Sequence, residues 1–147
     1  MYRVLVPIDA DEDRAVAQAR AVQNLPGARG DVAVTLLHVL EDAEGPVSTT
    51  PDQMPSGRAA LETLREAGIG ADQLSRGGDP AEEIIQVARE VDADAVVLGG
   101  RKRSPLGSLL FGSVTQAVIL DADRPVMVTG DTVRAADEGV EEGEAAG

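Results

Sequence analysis

The stretch from residue 94 to residue 113, DAVVLGGRKRSPLGSLLFGS, decides the fold of this chain. It opens with a short apolar run, 94–99, which is typical of a strand buried on both faces of a parallel sheet. A glycine-rich segment follows, and Gly112-Ser113 then opens a helix-like run that we assign to 113–121. The glycine-rich segment contains three consecutive bases: Arg101, Lys102 and Arg103. The stretch therefore predicts a buried strand, a basic glycine-rich loop and a helix in succession.

The same alternation of strands and helices extends in both directions along the chain. Apolar, β-branched runs predict strands at 3–8, 32–39, 69–76, 94–99 and 125–129. Helical patterns occupy 9–25, 59–67, the segment after Asp79-Pro80 and 113–121, whereas 26–31 is predicted as a turn and 41–58 as a long connecting loop. Asp79 is a typical helix N-cap, and proline is favoured at the first helical position. This order predicts an α/β, Rossmann-like fold: an open, doubly wound, five-stranded parallel sheet with helices on both faces.

The charge of the chain is strongly acidic and unevenly placed. Among 147 residues the formal net charge is −13, and the bases are twelve Arg and one Lys. Residues 131–147 contain six acids, one base and no apolar stripe, so we expect a disordered acidic tail behind a single folded domain over 1–130. High salt screens the self-repulsion of such a surface, and the composition therefore favours a halophilic host.

Composition also excludes several classes of function. A broad nucleic-acid surface needs clustered positive charge or exposed aromatic rings, and this chain has only Tyr2 and Phe111 as aromatics. Without cysteine, it has no disulfide, thiol nucleophile or thiolate metal site. No apolar run reaches membrane-spanning length, and the N-terminus lacks the pattern of a signal peptide. We therefore expect a cytoplasmic protein without membrane or nucleic-acid partners.

The loop after the fourth predicted strand is the best candidate for an anion site. Doubly wound sheets bind ligands beyond the carboxyl ends of their strands. The first strand ends in PIDADED (7–13), which lacks both the GxGxxG and the GxxxxGK[ST] patterns, and its carboxylates would repel phosphate. The loop 99–113 instead offers glycines, three bases and a helix N-terminus, all of which suit phosphate groups. The sequence therefore predicts phosphate binding after the fourth strand.

This loop resembles the signature of the universal stress protein A family, in its ATP-binding subgroup. The signature reads G-x2-G-x9-G-[ST], and here Gly99, Lys102 and Gly112-Ser113 hold its fixed positions. Further stretches that resemble the family's strands and third helix are VLVPID (4–9), LHV (37–39), GDPAEEI (78–84), DAVVLG (94–99) and PVMV (125–128). The resemblance covers residues 2–130.

The resemblance implies a strand order of 3-2-1-4-5 and a regulatory ATP-binding protein, not an enzyme. It implies that Pro7, Ile8 and Asp9 line the ribose and adenine side, that Val39 meets the adenine, that Leu98 and Gly99 form the pocket floor, and that Gly112, Ser113, Val114 and Thr115 hold the phosphates. We add Arg101, Lys102 and Arg103 as the bases that neutralise phosphate charge. ATP with Mg²⁺ is the implied cofactor, and a homodimer through the closing strand, 125–129, is the implied assembly.

Several alternatives remain open at this point. Lys102 replaces the second glycine of the signature, and a positive φ there would strain a lysine, which favours a dimeric interaction module without nucleotide. An adenylating or pyrophosphatase enzyme of similar fold would carry its phosphate loop after the first strand, which PIDADED argues against. No general base is placed for Ser113 as a nucleophile. Finally, Asp9 could cap the first helix, and His38 could be a packed core or rim residue.

Overall fold

Strands and helices alternate along the chain, as the sequence predicts. The computed structural model describes residues 1–43, 45–103 and 109–130, so the expected tail at 131–147 and part of the basic loop, 104–108, lie outside the described residues. The elements in chain order are β1 (Tyr2–Ile8), α1 (Glu12–Gln23), α2 (Ala28–Asp31), β2 (Val32–Leu40), β3 (Gly45–Pro46), a 3-10 turn (Pro51–Gln53), α3 (Pro55–Glu66), β4 (Ala71–Gly77), α4 (Pro80–Glu90), β5 (Ala95–Arg103), β6 (Leu109–Leu110), α5 (Ser113–Asp121) and β7 (Val126–Gly130).

The five long strands form a parallel sheet in the order β4-β2-β1-β5-β7. Counted along the chain, these strands are the third, second, first, fourth and fifth, which confirms the predicted order 3-2-1-4-5. Two strands of two residues each add antiparallel pairs, β3 on β4 and β6 on β5. Strand β1 lies at the centre, between β2 and β5, and the strand order reverses at its β5 side.

The core has one layer on each face of the sheet because the strand side chains alternate. Val4, Val6 and Ile8 of β1 pack on one face against α1 and α3. Leu5 of the same strand packs on the other face against α4 and α5. Both faces are built from Val, Leu, Ile and Ala, as expected for a chain with almost no aromatic residues.

Three segments differ most from the sequence-based predictions. The segment 26–31 contains the short helix α2 rather than a turn alone. Helix α3 begins at Pro55, so the predicted loop 41–58 contains its first turn as well as β3 and the 3-10 turn. Its start is hard to read from sequence because the N-cap is Met54, which has no capping side chain. Strand β5 also continues to Arg103, four residues past the predicted end at residue 99.

The caps of α1 and α4 show why those helices begin where they do. Asp79 caps α4 as predicted, since its carboxylate accepts a hydrogen bond from the N–H of Glu82. In α1 the cap is Asp11, which accepts from the N–H of Arg14 at 2.9 Å. Asp9 as the cap was therefore wrong: it lies two residues before the cap, and its Oδ1 accepts a hydrogen bond from the N–H of Asp11.

Candidate functional site

A cavity of about 240 Å³ opens at the carboxyl ends of β1 and β2, beside β5. This is the edge of a doubly wound sheet at which ligands bind, and it lies where the strand order reverses. The lining residues come from three strands and three helices: Pro7, Ile8, Asp9, Arg14, Gln18, Leu37, His38, Val39, Glu41, Pro80, Ile84, Leu98, Gly99, Val114 and Thr115. The lining from α4 is apolar, whereas the lining from α1 is polar.

A break in the sheet creates the inner wall of the cavity. The parallel register between β1 and β5 covers Val4 and Leu5 and stops there. Pro7 has no N–H and cannot continue the ladder. The side-chain amide of buried Gln18 takes its place, since Nε2 donates to the carbonyl of Pro7 and, at 3.0 Å, to the carbonyl of Val97. One buried glutamine therefore joins α1 to two strands at the point where they separate.

Arg14 is the one cation among the described residues that line the cavity. Its Nη1 donates to Oδ2 of Asp9 at 2.6 Å, and its Nη2 lies 3.7 Å from Oδ2 of Asp11. The Arg14 side chain is about a quarter exposed and that of Asp9 is more than half exposed. The acidic turn after β1 is thus partly neutralised by a base from the first turn of the following helix.

Two adjacent glycines in β5 make room for Arg14. A Cβ at Gly99 would lie 2.3 Å from Cγ of Arg14, a distance that real contacts do not allow. Gly100 has φ +103°, a conformation that L residues rarely adopt, and a Cβ there would lie 3.5 Å from Nε of Arg14. The stem of Arg14 therefore lies across these glycines, which bring the guanidinium close to the β5 backbone.

Helix α5 points its N-terminus at the same region. Its N-cap is Gly112, which has no side chain to accept from the first N–H groups of the helix. The hydroxyl of Thr115 donates to the carbonyl of Gly99 at 3.2 Å and so fixes the first turn against β5. Among the described residues, no atom lies within 4 Å of a Cβ built at Gly112, so this part of the structure leaves space beside the backbone. The arrangement suits an anion.

His38 lines the cavity at the end of β2. Burial lowers the pKa of its imidazole from the ordinary value, while the nearby Asp9 carboxylate acts in the opposite direction. The ring is therefore neutral at pH 7. In that form it can donate one hydrogen bond and accept another, so it can contact a ligand without adding charge. His38 is a rim residue, which agrees with the sequence-based interpretation.

The structure assigns the left-handed backbone in this stretch to Gly100 and not to Lys102. Lys102 lies within β5, in antiparallel register with Leu110, and strand backbone is open to any L residue. The lysine in place of the second signature glycine therefore needs no strained φ. For Arg101, Lys102 and Arg103 the structure describes the backbone, and their predicted contacts with phosphate lie outside what it describes.

Eight of the thirteen predicted site residues line the cavity: Pro7, Ile8, Asp9, Val39, Leu98, Gly99, Val114 and Thr115. Gly112 and Ser113 are exposed at the start of α5 and are not part of the lining. The sequence reading missed Arg14 and Gln18, although both follow the first strand and are four residues apart on one helix face. Pro7 within the strand is the signal that a side chain must replace a ladder hydrogen bond.

Family comparison agrees with this geometry, because the model of the universal stress protein family matches residues 1–130. The chain belongs to the universal stress protein family. Over 51 residues it is 43% identical to stress response protein NhaX of Bacillus subtilis, covering 35% of this chain and 31% of NhaX. A universal stress protein of Mycolicibacterium smegmatis is 41% identical over 51 residues, covering 35% of this chain and 39% of that protein. The matched part thus spans well under half of these curated relatives.

Solved structures resemble the chain over most of its length. A universal stress protein from Archaeoglobus fulgidus has a TM-score of 0.66 and 32% identity, covering 88% of this chain and 98% of that one. An Archaeoglobus fulgidus universal stress protein in complex with dAMP has a TM-score of 0.61 and 26% identity, again covering 88% and 98%. The universal stress protein fold is therefore present nearly in full.

Proposed function

We propose that this universal stress protein binds an adenine nucleotide, ATP with Mg²⁺, in the cavity at the carboxyl ends of β1 and β2. The observation that carries the proposal is the convergence of this cavity with the open N-terminus of α5. We propose further that it acts in the cytoplasm of a halophilic host by changing its contacts with partners, and that it is not an enzyme. The similar Archaeoglobus fulgidus protein in complex with dAMP supports the adenine nucleotide as ligand.

The apolar part of the cavity fits a flat heteroaromatic base. Leu37 and Val39 of β2 and Ile84 of α4 supply apolar surface for such a ring. Asp9 stands beside them, and a carboxylate readily accepts hydrogen bonds from sugar hydroxyls. The base can therefore be held by apolar contacts alone, while the ribose hydroxyls hydrogen-bond to Asp9.

The phosphates fit beside α5. The free N–H groups of its first turn and its dipole attract anions. Gly112 leaves the backbone open, and Thr115 and Val114 bring that turn to the cavity. The described residues contain no group of three or more His, Cys, Asp or Glu that could hold a metal ion. Mg²⁺ would therefore be bound mainly through the phosphate oxygens.

Calorimetric titration with Mg-ATP at high salt tests this function, after denatured protein has been checked for nucleotide that co-purified. The wild-type chain should bind ATP. Gly112→Ala should weaken binding by about tenfold or more, because its methyl group occupies the space through which a phosphate reaches the backbone. Gly70→Ala is the matched control, since Gly70 is exposed and a Cβ there also meets nothing within 4 Å. Folded wild-type protein that binds no ATP at millimolar concentration would refute the proposal.

A dimeric interaction module without nucleotide is the second candidate. Strand β7 favours association, since among the described residues it pairs only with β5 and so lies at an edge of the sheet. Met127 of this strand is an exposed apolar side chain. We propose a homodimer through β7, which light scattering can test: Met127→Lys should shift the protein to monomer, whereas Leu120→Lys on α5 should not. An unchanged mass for Met127→Lys would contradict pairing at this edge.

One further observation concerns the membrane. No helix within the described residues is both long and apolar enough to cross a bilayer.

A further inference from the structure

The charged residues that line the proposed nucleotide site carry a net negative charge, although its ligand is an anion. Asp9 and Glu41 line the cavity, His38 is neutral at pH 7, and Arg14 is the remaining charged residue of the described lining. The charges of this lining therefore sum to −1. This net negative charge repels a phosphate, and a cation that faces the phosphate directly would offset the repulsion in addition to the N-terminus of α5. Among the described lining residues, Arg14 alone can do so.

Arg14 is close to where an anion would sit. Its Nε and the hydroxyl of Thr115 both lie within 4 Å of one point, the Cβ position at Gly100, at 3.5 Å and 3.9 Å. Thr115 belongs to the first turn of α5, so the Arg14 side chain lies next to that turn. The Arg14 guanidinium has five N–H donors, and among the described residues it uses one of them, in the bond to Asp9. Donors are therefore available for a phosphate.

The bond to Asp9 is also easy to exchange. Because Asp9 is more than half exposed, its ion pair with Arg14 is weakly stabilising and sensitive to salt. A ligand that has both hydroxyl groups and a phosphate can provide a new hydrogen-bonding partner for Asp9 and another for Arg14. Hydroxyls donate to the Asp9 carboxylate, and phosphate oxygens accept from the Arg14 guanidinium in a bidentate arrangement.

We propose that Arg14 is the phosphate-recognising residue of this site, and that ligand binding exchanges the Arg14–Asp9 ion pair for an Arg14–phosphate contact and an Asp9–hydroxyl contact. This inference rests on the proposed nucleotide function and adds to it a specificity determinant. It follows that the site selects nucleotides over nucleosides. A nucleoside would hydrogen-bond to Asp9 and so break its ion pair with Arg14, but it has no phosphate to accept hydrogen bonds from the Arg14 guanidinium.

The test compares AMP with adenosine by calorimetry, at one fixed salt concentration, on the wild-type chain, Arg14→Gln, Arg14→Lys and Arg20→Gln. AMP is used because it adds a single phosphate to adenosine. Arg20 is an exposed arginine of the same helix, so Arg20→Gln reproduces the change in net charge away from the cavity. Circular dichroism and thermal unfolding establish that each variant is folded.

The expected result is a change in selectivity rather than a general loss. Wild type and Arg20→Gln should prefer AMP to adenosine by the same factor, and in Arg14→Gln that factor should fall about tenfold or more, with adenosine affinity kept or raised. Arg14→Lys keeps the charge but not the bidentate geometry, so its preference for AMP should lie between those of the wild type and Arg14→Gln. An unchanged factor in Arg14→Gln, or equal losses for both ligands, would overturn the proposal while the nucleotide function stands. Absence of binding to the wild type would instead overturn the nucleotide function itself.

Discussion

The crossovers after β1 and β5 carry opposite charge in the sequence but form one wall of the cavity in the structure. The first runs through Asp9 and Asp11, and its carboxylates argue against phosphate. The second is glycine-rich and basic. The structure places Arg14, from the acidic crossover, across Gly99 and Gly100 of β5, just before the three bases. The sign of charge along a segment is therefore a poor guide to whether a site contains a cation, because one long side chain from the following helix can place one there.

The two crossovers also differ in how they are fixed. The β1 crossover is anchored by the side chain of Gln18, which hydrogen-bonds to two strand carbonyls from inside the core. The β5 crossover is anchored by the hydroxyl of Thr115 at the start of α5. A buried amide that satisfies two carbonyls has no substitute in an apolar core, whereas Thr115 forms one bond. The first crossover should therefore be the more sensitive to substitution.

The largest expected effect comes from removing that amide. Gln18→Leu keeps much of the volume but leaves the carbonyls of Pro7 and Val97 without their donor, at about 1–3 kcal/mol for each buried group. We expect the free energy of unfolding to fall by about 2–4 kcal/mol in urea titrations. Gln86→Leu on the exposed face of α4 is the control and should stay within about 0.5 kcal/mol. Equal losses in the two variants would remove the distinction between the crossovers.

A second, smaller effect separates two glycines, Gly99 within β5 and Gly112 at the start of α5. Gly99→Ala places a methyl group 2.3 Å from Cγ of Arg14, so we expect a loss of about 1–3 kcal/mol. Gly112→Ala meets no described atom and has a negative φ, so it should cost less, about 0.5–1 kcal/mol for the replacement of a glycine N-cap. Urea unfolding of both variants measures the difference.

A double-mutant cycle identifies the cause of the Gly99 effect. If the Arg14 stem is what Gly99 accommodates, Arg14→Ala should relieve most of the loss, and the coupling energy should be about 1 kcal/mol or more. If Gly99→Ala costs the same with and without Arg14, this glycine is required by the strand itself and the contact between the crossovers is incidental.

Much of the fold and part of the site can be predicted from the sequence because their determinants are local. The start of β5 and the Asp79-Pro80 start of α4 each depend on a few neighbouring residues, and both lie within one residue of the prediction. The start of α3 cannot be predicted in this way, because no capping side chain marks it and Gly57 packs there against the carbonyl of Pro51. Arg14 and Gln18 were missed for a related reason. Their partners, Gly99 and Val97, are about eighty residues away in sequence and become neighbours only when β5 is inserted beside β1.

The smallest effect concerns pH and distinguishes the two crossovers by their effect on His38. Burial lowers its pKa in the folded state, whereas Asp9 of the first crossover raises it, and the lowering is the larger effect. A lowered folded pKa means that protons favour the unfolded chain. The stability due to neutral His38 is therefore present above the ordinary histidine pKa of about 6.5 and is lost as the pH falls from there through the folded value. In urea unfolding across this range, His38→Gln should lose less stability than wild type. Asp9→Asn removes the opposing carboxylate and should lower the pKa of His38 further, which NMR titration of its ring protons can follow; an upward shift would show that Asp9 does not act on this ring.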